Sequence, residues 1–311
     1  MSLQGKDLLS IHDLSVAEVY QIFDLAKKLK AMQKRGEEHH LLKGKTLGMI
    51  FQKASTRTRV SFEAGMWQLG GSALFLSAND LQIGRGEPVK DTARVLSRYV
   101  DGIMIRTFSH AEVQELAHYA AIPIVNGLTD LLHPCQALAD IFTAIEYKGD
   151  VKGRKLAYIG DGNNMANALL HGCAKLGMDI TVACPAGYAP DPAVVAEAKT
   201  DAAVSGSKIT ITADPQAAAQ GADVLYTDVW ASMGMETEQV IRRKAFAGYQ
   251  INGDILKVAK ADAIVMHCLP AHRGEEITDE VMEGPQSVVF DEAENRLHVQ
   301  KAILALLMGQ N

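Results

Sequence analysis

The densest group of chemistry-bearing side chains in the sequence lies at residues 55–59, which read Ser-Thr-Arg-Thr-Arg. This run follows an apolar stretch at residues 46–51 that predicts a buried strand, and it leads into a helical pattern at residues 58–69. Hydroxyl side chains cap the free N–H groups of a helix start, and that end of a helix favours anions. Arginine can grip phosphate with two parallel hydrogen bonds. The run therefore predicts a phosphate site, although a capped helix with solvated arginines would share the pattern.

Further polar positions follow predicted strands in the same half of the chain. Arg106 ends an apolar strand at residues 102–106, and an arginine there needs an anionic partner unless it faces water. His133 and Gln136 flank Pro134, a residue that favours the first position of a helix. Donors at such a helix start can polarise a carbonyl oxygen that becomes negative in a transition state. The alternative for His133 is a purely structural hydrogen bond.

The second half of the chain opens with a glycine-rich motif at residues 160–164, which read Gly-Asp-Gly-Asn-Asn after a predicted strand. The motif begins like a dinucleotide fingerprint, but Met165 stands where the third glycine is required. A nicotinamide cofactor is therefore not expected. The asparagines fit recognition of a small polar ligand, or a turn that asparagine and glycine stabilise.

Two more motifs in this half also follow predicted strands. Asp228, followed by a loop that includes Ser232-Met233-Gly234, suits an ammonium group over which the loop could close; it could equally cap a helix. At residues 267–270 the sequence reads His-Cys-Leu-Pro. A covalent role for Cys268 needs an orienting base, and no matching ligand pair indicates a metal site.

These motifs are placed by an alternation of apolar strands and amphipathic helices. A first helix is predicted at residues 15–35 and a last one at about 294–308. The predicted strands are residues 46–51, 73–76, 102–106, 123–126, 155–159, 180–183, 208–212, 224–227, 263–267 and 288–290. Strands separated by helices imply parallel sheets with right-handed crossovers. We therefore expect an α/β fold with two doubly wound domains, each a central parallel sheet flanked by helices, with ligands bound beyond the carboxyl ends of the strands.

The length of 311 residues suits two domains of roughly 150 residues each. A polar break at Lys148-Gly149-Asp150 helps to set the expected boundaries. They are a first domain over residues 1–135, a linking helix over 136–149 and a second domain over 150–290. The C-terminal helix, at about 294–311, is expected to pack back on the first domain.

Composition narrows the class of protein. Hydrophobic residues make up 48% and charged residues 22% of the chain, as in ordinary globular enzymes. The net charge of -6 argues against general nucleic-acid binding, and no apolar run approaches the ~20 residues that span a bilayer. The N-terminus lacks a secretory pattern. Four cysteines without C-x-x-C spacing favour a reducing, cytoplasmic setting.

Taken in order, the motifs resemble those of the carbamoyltransferase family over nearly the whole chain. The Ser-Thr-Arg-Thr-Arg run and the His-Pro-Cys-Gln block at residues 133–136 resemble the entire family, including aspartate carbamoyltransferases. The Asp228 loop and the His-Cys-Leu-Pro block resemble the ornithine branch. The resemblance implies carbamoyl transfer from carbamoyl phosphate to the δ-amine of L-ornithine, giving L-citrulline and phosphate without a cofactor or metal. That reaction is a step of arginine biosynthesis or of urea-cycle type.

The resemblance also implies roles for individual residues. It makes residues 1–135 the carbamoyl phosphate-binding domain and residues 150–290 the ornithine-binding domain. Carbamoyl phosphate would contact Ser55, Thr56, Arg57, Thr58, Gln82, Arg106, His133, Gln136 and Arg296. Ornithine would contact Asn164, Asp228, Ser232, Met233, Cys268 and Leu269. The expected catalytic residues are Arg106, His133, Asp228 and Cys268.

The resemblance further implies a homotrimer or a multiple of trimers, in which Gln82 reaches a neighbouring subunit's site. One segment departs from the family: Gly86-Glu87-Pro88 stands where many members carry a Glu-Ser pair. We expect direct transfer without an acyl-enzyme at Cys268, with Thr58, Arg106 and His133 stabilising the tetrahedral oxyanion.

Three alternatives stay open at this point. A sister enzyme would use aspartate, putrescine or an acylated ornithine. Asp228 and its loop favour a free α-amino group, and no extra cations in the second domain suit the second carboxylate of aspartate. A nucleotide-dependent oxidoreductase is disfavoured by the broken glycine fingerprint. A non-catalytic regulatory or binding protein would carry the same folds without the reaction.

Overall fold

The computed structural model describes residues 3–232 and 236–309. The chain divides into two compact units, Met1–Leu138 with Asn295–Asn311, and Ala139–Glu294. The boundary between Leu138 and Ala139 falls within residues 136–149, the segment predicted to be a linking helix. Among the described residues, no helix is both long enough and apolar enough to cross a membrane.

The first unit contains a four-stranded parallel sheet with the strand order β2-β1-β3-β4. Its strands are β1 (Thr46–Phe51), β2 (Ser72–Ser77), β3 (Gly102–Arg106) and β4 (Ile124–Leu128). Its helices are α1 (Val16–Lys34), α2 (Thr56–Gln68), α3 (Val89–Leu96), α4 (His110–Tyr119) and the start of α5 (Pro134–Lys148), with a 3-10 helix at Gln82–Arg85. Strands β1, β3 and β4 are almost wholly buried, as expected where helices cover both faces of a parallel sheet.

The second unit contains a five-stranded parallel sheet with the order β7-β6-β5-β8-β9. Its strands are β5 (Lys155–Ile159), β6 (Asp179–Ala183), β7 (Ile209–Thr212), β8 (Val224–Thr227) and β9 (Ile264–His267). Its helices are α6 (Asn164–Leu176), α7 (Pro192–Ser205), α8 (Pro215–Ala219), α9 (Gln239–Ala245), α10 (Gly253–Val258), α11 (Asp279–Met282) and the start of α12 (Val289–Met308), with a 3-10 helix at Glu236–Glu238. The expectation of two parallel-sheet domains flanked by helices is confirmed.

Strand order sets where each sheet can bind a ligand. In the first sheet the direction of winding reverses between β1 and β3, and in the second it reverses between β5 and β8. A crevice opens at such a switch point, beyond the carboxyl ends of the two strands. The register pairs Phe51 with Arg106, so the ends of β1 and β3 lie side by side.

One predicted strand, at residues 288–290, is wrong. The N–H of Val288 donates to the carbonyl oxygen of Val265 over 3.0 Å, and Ser287 forms a single bridge to Val265. Helix α12 then begins at Val289. Two adjacent valines favour strand, but the sheet contact ends after one bridge and the helix continues from there.

Candidate active site

The segment after β1 forms the start of α2 and offers a polar surface at the first switch point. Ser55 caps this helix, its Oγ accepting from the N–H of Thr58 over 3.2 Å. Thr58 is fully buried, and its hydroxyl accepts a hydrogen bond from Nη2 of Arg296 over 3.0 Å. Arg296 lies on α12, so two distant parts of the first unit converge on one hydroxyl group.

The two arginines of the Ser-Thr-Arg-Thr-Arg run differ in position. Arg57 is half-buried in the first turn of α2, where the free N–H groups of the helix lie. Arg59 pairs with Glu63 over 3.0 Å, one helical turn away. Its guanidinium also lies 3.7 Å from the ring centroid of Phe75. Arg59 is therefore engaged with its own helix and with β2, and the expectation that Arg57 contacts phosphate stays a prediction.

Arg106, His133 and Arg296 form a buried cationic group beside this helix. Arg106 ends β3 and is 6% exposed, and His133, directly before α5, is 4% exposed. Burial, together with the guanidinium groups of Arg296 and Arg106, lowers the pKa of His133 well below its ordinary value. The imidazole is therefore neutral at physiological pH. Its buried Nδ1 has no hydrogen-bond partner among the residues that the structure describes.

The first turn of α5 completes this cluster. Gln136 is 1% exposed, close behind His133 in the chain. Cys135 is buried, and its Sγ donates to the carbonyl oxygen of Asn126 over 3.5 Å. Burial raises the pKa of the Cys135 thiol to about 12. Cys135 is thus a packed thiol, whereas the amide of Gln136 and the imidazole of His133 carry the polar chemistry of the motif.

Gln82 occupies an exposed position at the start of the 3-10 helix. That helix ends at Gly86, whose φ of +96° is readily adopted only by glycine. The hydroxyl of Thr92 on α3 donates to the Glu87 carboxylate over 2.8 Å. The departing segment 86–88 is therefore an ordered connection into α3, and the role of Gln82 stays a prediction.

In the second unit, Asn163 and Asp228 meet at the second switch point. Asn163 follows β5 and caps α6, while Asp228 follows β8 and is 6% exposed. Nδ2 of Asn163 donates to Oδ2 of Asp228 over 2.8 Å. Sγ of Cys268, directly after β9, donates to Oδ1 of Asp228 over 3.0 Å. The ends of three neighbouring strands thus converge on one carboxylate.

The other residues expected to contact ornithine lie at the start of α6 and in the segments that follow Asp228 and Cys268. Asn164 and Ser232 are half-buried, and Met233 lies outside the described residues. Leu269 has a φ of +58°, a left-handed conformation that is costly for a branched side chain. Its N–H donates to Nδ1 of His267 over 2.9 Å, which holds the backbone turn immediately after Cys268.

Comparison with known proteins identifies the two units. A family model described as the carbamoyl-P binding domain of aspartate/ornithine carbamoyltransferase matches residues 6–146. A second, described as the Asp/Orn binding domain, matches residues 152–307. The chain belongs to the aspartate/ornithine carbamoyltransferase family. The resemblance drawn from its motifs is confirmed.

Individual relatives span almost the whole chain. An ornithine carbamoyltransferase from Symbiobacterium thermophilum is 59% identical over 308 residues, covering 99% of each chain. A protein from Pyrococcus furiosus named ornithine carbamoyltransferase, anabolic, is 57% identical, covering 99% of this chain and 98% of the relative. A solved structure titled ornithine carbamoyltransferase from Pyrococcus furiosus matches with a TM-score of 0.96 at 57% identity, covering 99% and 98% of the two chains.

Within this family fold, close packing of the backbone explains the second glycine of the motif, Gly162. A Cβ added at Gly162 would lie 2.3 Å from the carbonyl carbon of Ala189 and from the nitrogen of Pro190. In a dinucleotide fold the second glycine lets a pyrophosphate approach the backbone. Here the chain's own backbone occupies that position, which explains the glycine without a nucleotide.

Two groups of side chains among the described residues bring metal-ligating atoms within 4.8 Å of one another: Asp228, His267 and Cys268, and His272, Glu275 and Glu276. In the first group both ring nitrogens of His267 already have partners, since Nδ1 accepts from Leu269 and Nε2 lies 3.0 Å from Oε1 of Glu276. In the second, Oε1 of Glu276 also accepts from the N–H of His272 over 2.6 Å. These atoms are engaged in hydrogen bonds that shape the loop after β9.

Two buried acidic groups near the site escape prediction from the motifs. Asp161 pairs with Arg242 over 2.7 Å, and burial raises its pKa to about 6 despite the opposing effect of Arg242. Glu292 accepts from the N–H of His267 over 2.9 Å. Burial and the adjacent Asp140 raise the pKa of Glu292 well above its ordinary value. One signal for such groups is present in the sequence, since Asp140 stands among apolar residues of a predicted helix and an acidic residue there indicates a buried carboxyl group.

The protonation of the Cys268 thiol can be tested without an activity assay. Burial and the Asp228 carboxylate raise the pKa of this thiol well above its ordinary value. Because the thiolate is the reactive form, alkylation of Cys268 by iodoacetamide at about pH 8 should be slow, and Asp228→Asn should accelerate it by roughly tenfold or more. Peptide mass spectrometry separates Cys268 from the three other cysteines.

Asp191→Asn is the matched control for this experiment. Asp191 caps α7, and asparagine caps a helix equally well, so the variant removes one charge elsewhere in the same unit. Rapid alkylation of wild-type Cys268, unchanged by Asp228→Asn, would show that the carboxylate does not suppress the thiolate.

Proposed function

We propose that the protein transfers the carbamoyl group of carbamoyl phosphate to the δ-amine of L-ornithine, giving L-citrulline and phosphate. The observation that carries the proposal is that relatives named ornithine carbamoyltransferase are 57–59% identical over almost the full chain. The polar groups at both strand switch points are those that such a reaction requires. The Pyrococcus furiosus relative is named as an anabolic ornithine carbamoyltransferase, which supports a biosynthetic role in making arginine. We place the reaction in the cytoplasm.

The start of α2 is the proposed phosphate site. Ser55, Thr56 and Thr58 carry hydroxyl groups at this helix start, and Arg57 adds a cation at the same helix end. The helix N-terminus favours a dianion through its free N–H groups and its partial positive charge. As the bond between the carbamoyl carbon and the phosphate oxygen breaks, these groups hold the leaving phosphate.

The buried cationic group is the proposed carbonyl site. Attack of the amine on the carbamoyl carbon gives a tetrahedral oxyanion, and preorganised donors lower the energy of that charge in a site of low dielectric. Arg106, neutral His133 and the Thr58 hydroxyl are the proposed donors. Gln136 is proposed to bind the carbamoyl nitrogen, and Arg296 to orient Thr58 through the hydrogen bond already present.

Asp228 is the proposed partner of the α-ammonium group of ornithine. It is a buried carboxylate whose neighbours in the second unit are hydrogen-bond donors, and an ammonium group would offset its charge. Asn164 would bind the ornithine carboxylate, and Ser232 and Met233 would contact the amino acid from the following loop. Cys268 and Leu269 would line the path of the δ-amine.

The attacking amine must be neutral, although a free alkylamine has a pKa of about 10. Binding must therefore favour loss of its proton before attack. The raised pKa of Cys268 disfavours a thiolate nucleophile, so we propose direct transfer. The C–N bond forms to give the tetrahedral intermediate, the C–O bond to phosphate breaks, and the proton lost by the attacking nitrogen passes to the departing phosphate.

A citrulline assay tests the proposed reaction and the phosphate site together. Purified protein is incubated with carbamoyl phosphate and, in parallel, with ornithine, aspartate, putrescine or N-acetylornithine. Product is expected with ornithine alone. Arg57→Gln should lower kcat/KM for carbamoyl phosphate by roughly 100-fold or more, because it removes charge-assisted hydrogen bonds to phosphate.

Arg59→Gln is the matched control, since it removes the same group two positions along the chain where Glu63 and Phe75 already engage it. It should stay within a few-fold of the wild type. Product from another acceptor would keep the family and the phosphate site but refute the role of Asp228. An equal loss in both arginine variants would refute the assignment of Arg57.

We further propose that the protein assembles as a trimer or a multiple of trimers. Strand β2 lies at the edge of the first sheet, where an unpaired edge invites association unless it is covered. Large apolar side chains are exposed on β2 at Leu74 and, on the helix α2 that packs against it, at Val60 and Trp67. Exposed apolar groups concentrated on one region mark an interaction surface. Gln82 follows β2 in the chain, in keeping with a contact to a neighbouring subunit's site.

Light scattering after gel filtration tests this assembly. The wild type should elute with three times the mass of one chain, or a multiple of it. Trp67→Glu, which places a charge on a side chain that is 78% exposed, should dissociate the assembly and lower activity, because the contact from Gln82 is lost with it. Val204→Glu, on a side chain that is 89% exposed in the second unit, is the control. A fully active wild-type monomer would refute the proposal.

A further inference from the structure

The side chain of Asn163 makes four hydrogen bonds with described residues, more than helix capping requires. Its Oδ1 accepts from the N–H groups of Met165 and Ala166 over 2.9 and 3.3 Å, which is the cap of α6. The same oxygen accepts from the hydroxyl of Tyr158 over 3.1 Å. Its Nδ2 donates to Oδ2 of Asp228 over 2.8 Å. The capping asparagine of α6 is therefore also a partner of the carboxylate at the next strand.

The hydrogen-bond pattern fixes which way this amide points. Tyr158 is fully buried, and burial with the nearby carboxylates of Asp228 and Asp161 raises the pKa of its phenol well above the ordinary value. The phenol thus remains a donor. Rotating the amide would turn its NH₂ group toward three donors and its oxygen toward a carboxylate. One orientation satisfies every group, and it directs N–H at Asp228.

Among the described residues, the hydrogen-bond donors to Asp228 leave one lone-pair position for a ligand. Oδ1 accepts from the N–H of Val229 over 2.8 Å and from Sγ of Cys268 over 3.0 Å. Oδ2 accepts from Asn163. A carboxylate oxygen has two lone-pair positions, so these three hydrogen bonds occupy both positions of Oδ1 and one of Oδ2. The second position of Oδ2 is the one that these donors leave for an ammonium group.

We propose that Asn163 is a positioning residue for the acceptor amino acid, because it holds the Asp228 carboxylate in the orientation that receives the α-ammonium group. The inference rests on the proposed function, in which Asp228 binds ornithine. The buried Tyr158 fixes the amide, and the amide in turn fixes the carboxylate. Asn164, the neighbouring residue that the motif singles out, is then a contact to the substrate, whereas Asn163 acts through Asp228.

A cap-preserving substitution separates positioning from helix capping. Serine caps a helix as well as asparagine does, but its shorter side chain cannot reach Asp228. Asn163→Ser should therefore keep the fold and raise KM for ornithine by roughly 10- to 100-fold, the loss expected for one hydrogen bond to a charged group. KM for carbamoyl phosphate should stay within about twofold, since that substrate is assigned to other residues.

Asn252→Ser is the matched control. Asn252 caps α10 in the same unit, with Oδ1 accepting from the N–H groups of Asp254 and Ile255 over 3.0 and 3.2 Å. The same substitution there removes an equivalent cap without touching Asp228, so both KM values should match the wild type. Tyr158→Phe removes one donor from the Asn163 amide and should raise KM for ornithine less than Asn163→Ser does.

The outcomes separate this inference from the proposed function. Citrulline formation by the wild type with an unchanged ornithine KM in Asn163→Ser would overturn the inference and leave the reaction intact. Failure of the wild type to make citrulline would remove the proposed function. A crystal structure of Asn163→Ser would then decide the inference: a reoriented Asp228 carboxylate supports it, and an unmoved one overturns it.

Discussion

Parallel pairing of the strands is the constraint on which the rest of this structure depends. It places the carboxyl ends of all strands of a sheet along one edge, and the strand order opens a switch point between β1 and β3 and another between β5 and β8. Residues that are far apart in the chain, such as Arg57 and Arg106, are thereby gathered beyond neighbouring strand ends. The same rule brings Asn163, Asp228 and Cys268 together in the second unit.

The polar groups beyond the carboxyl ends of the strands differ in charge between the two sheets. In the first unit, burial and the adjacent guanidinium groups lower the pKa of His133, so its neutral imidazole can donate a hydrogen bond to a developing oxyanion without adding a further positive charge. In the second unit, donors converge on the Asp228 carboxylate, and the Cys268 thiol remains protonated beside it. The cationic group of the first unit suits an anionic substrate, and the carboxylate of the second unit suits an ammonium group, as the two substrates of carbamoyl transfer to ornithine require.

Periodicity and strand-end motifs predict much of this arrangement because both are local properties. The strands β1, β3, β5 and β8 have the bounds that the apolar runs indicate, and the Arg106 position follows from one of them. The features that escape prediction depend on contacts distant in the chain. Arg59 carries the right chemistry but turns toward Glu63 and Phe75. The motif suggests Asn164 as a contact to the ligand, but it is Asn163 that donates a hydrogen bond to Asp228. That contact joins two strand ends and becomes visible only in the folded structure. The apolar residues 288–290 favour a strand locally, yet α12 begins within them.

The most direct test of this account is a crystal structure of the protein with carbamoyl phosphate and L-norvaline, which has the α-amino and carboxylate groups of ornithine but no side-chain amine. We expect the phosphate on the first turn of α2, with its oxygens within hydrogen-bond distance of Ser55 to Thr58, and the norvaline ammonium on Oδ2 of Asp228. Phosphate bound in the second unit, or an ammonium group that makes no contact with Asp228, would contradict the assignment of carbamoyl phosphate to the first unit and of ornithine to the second.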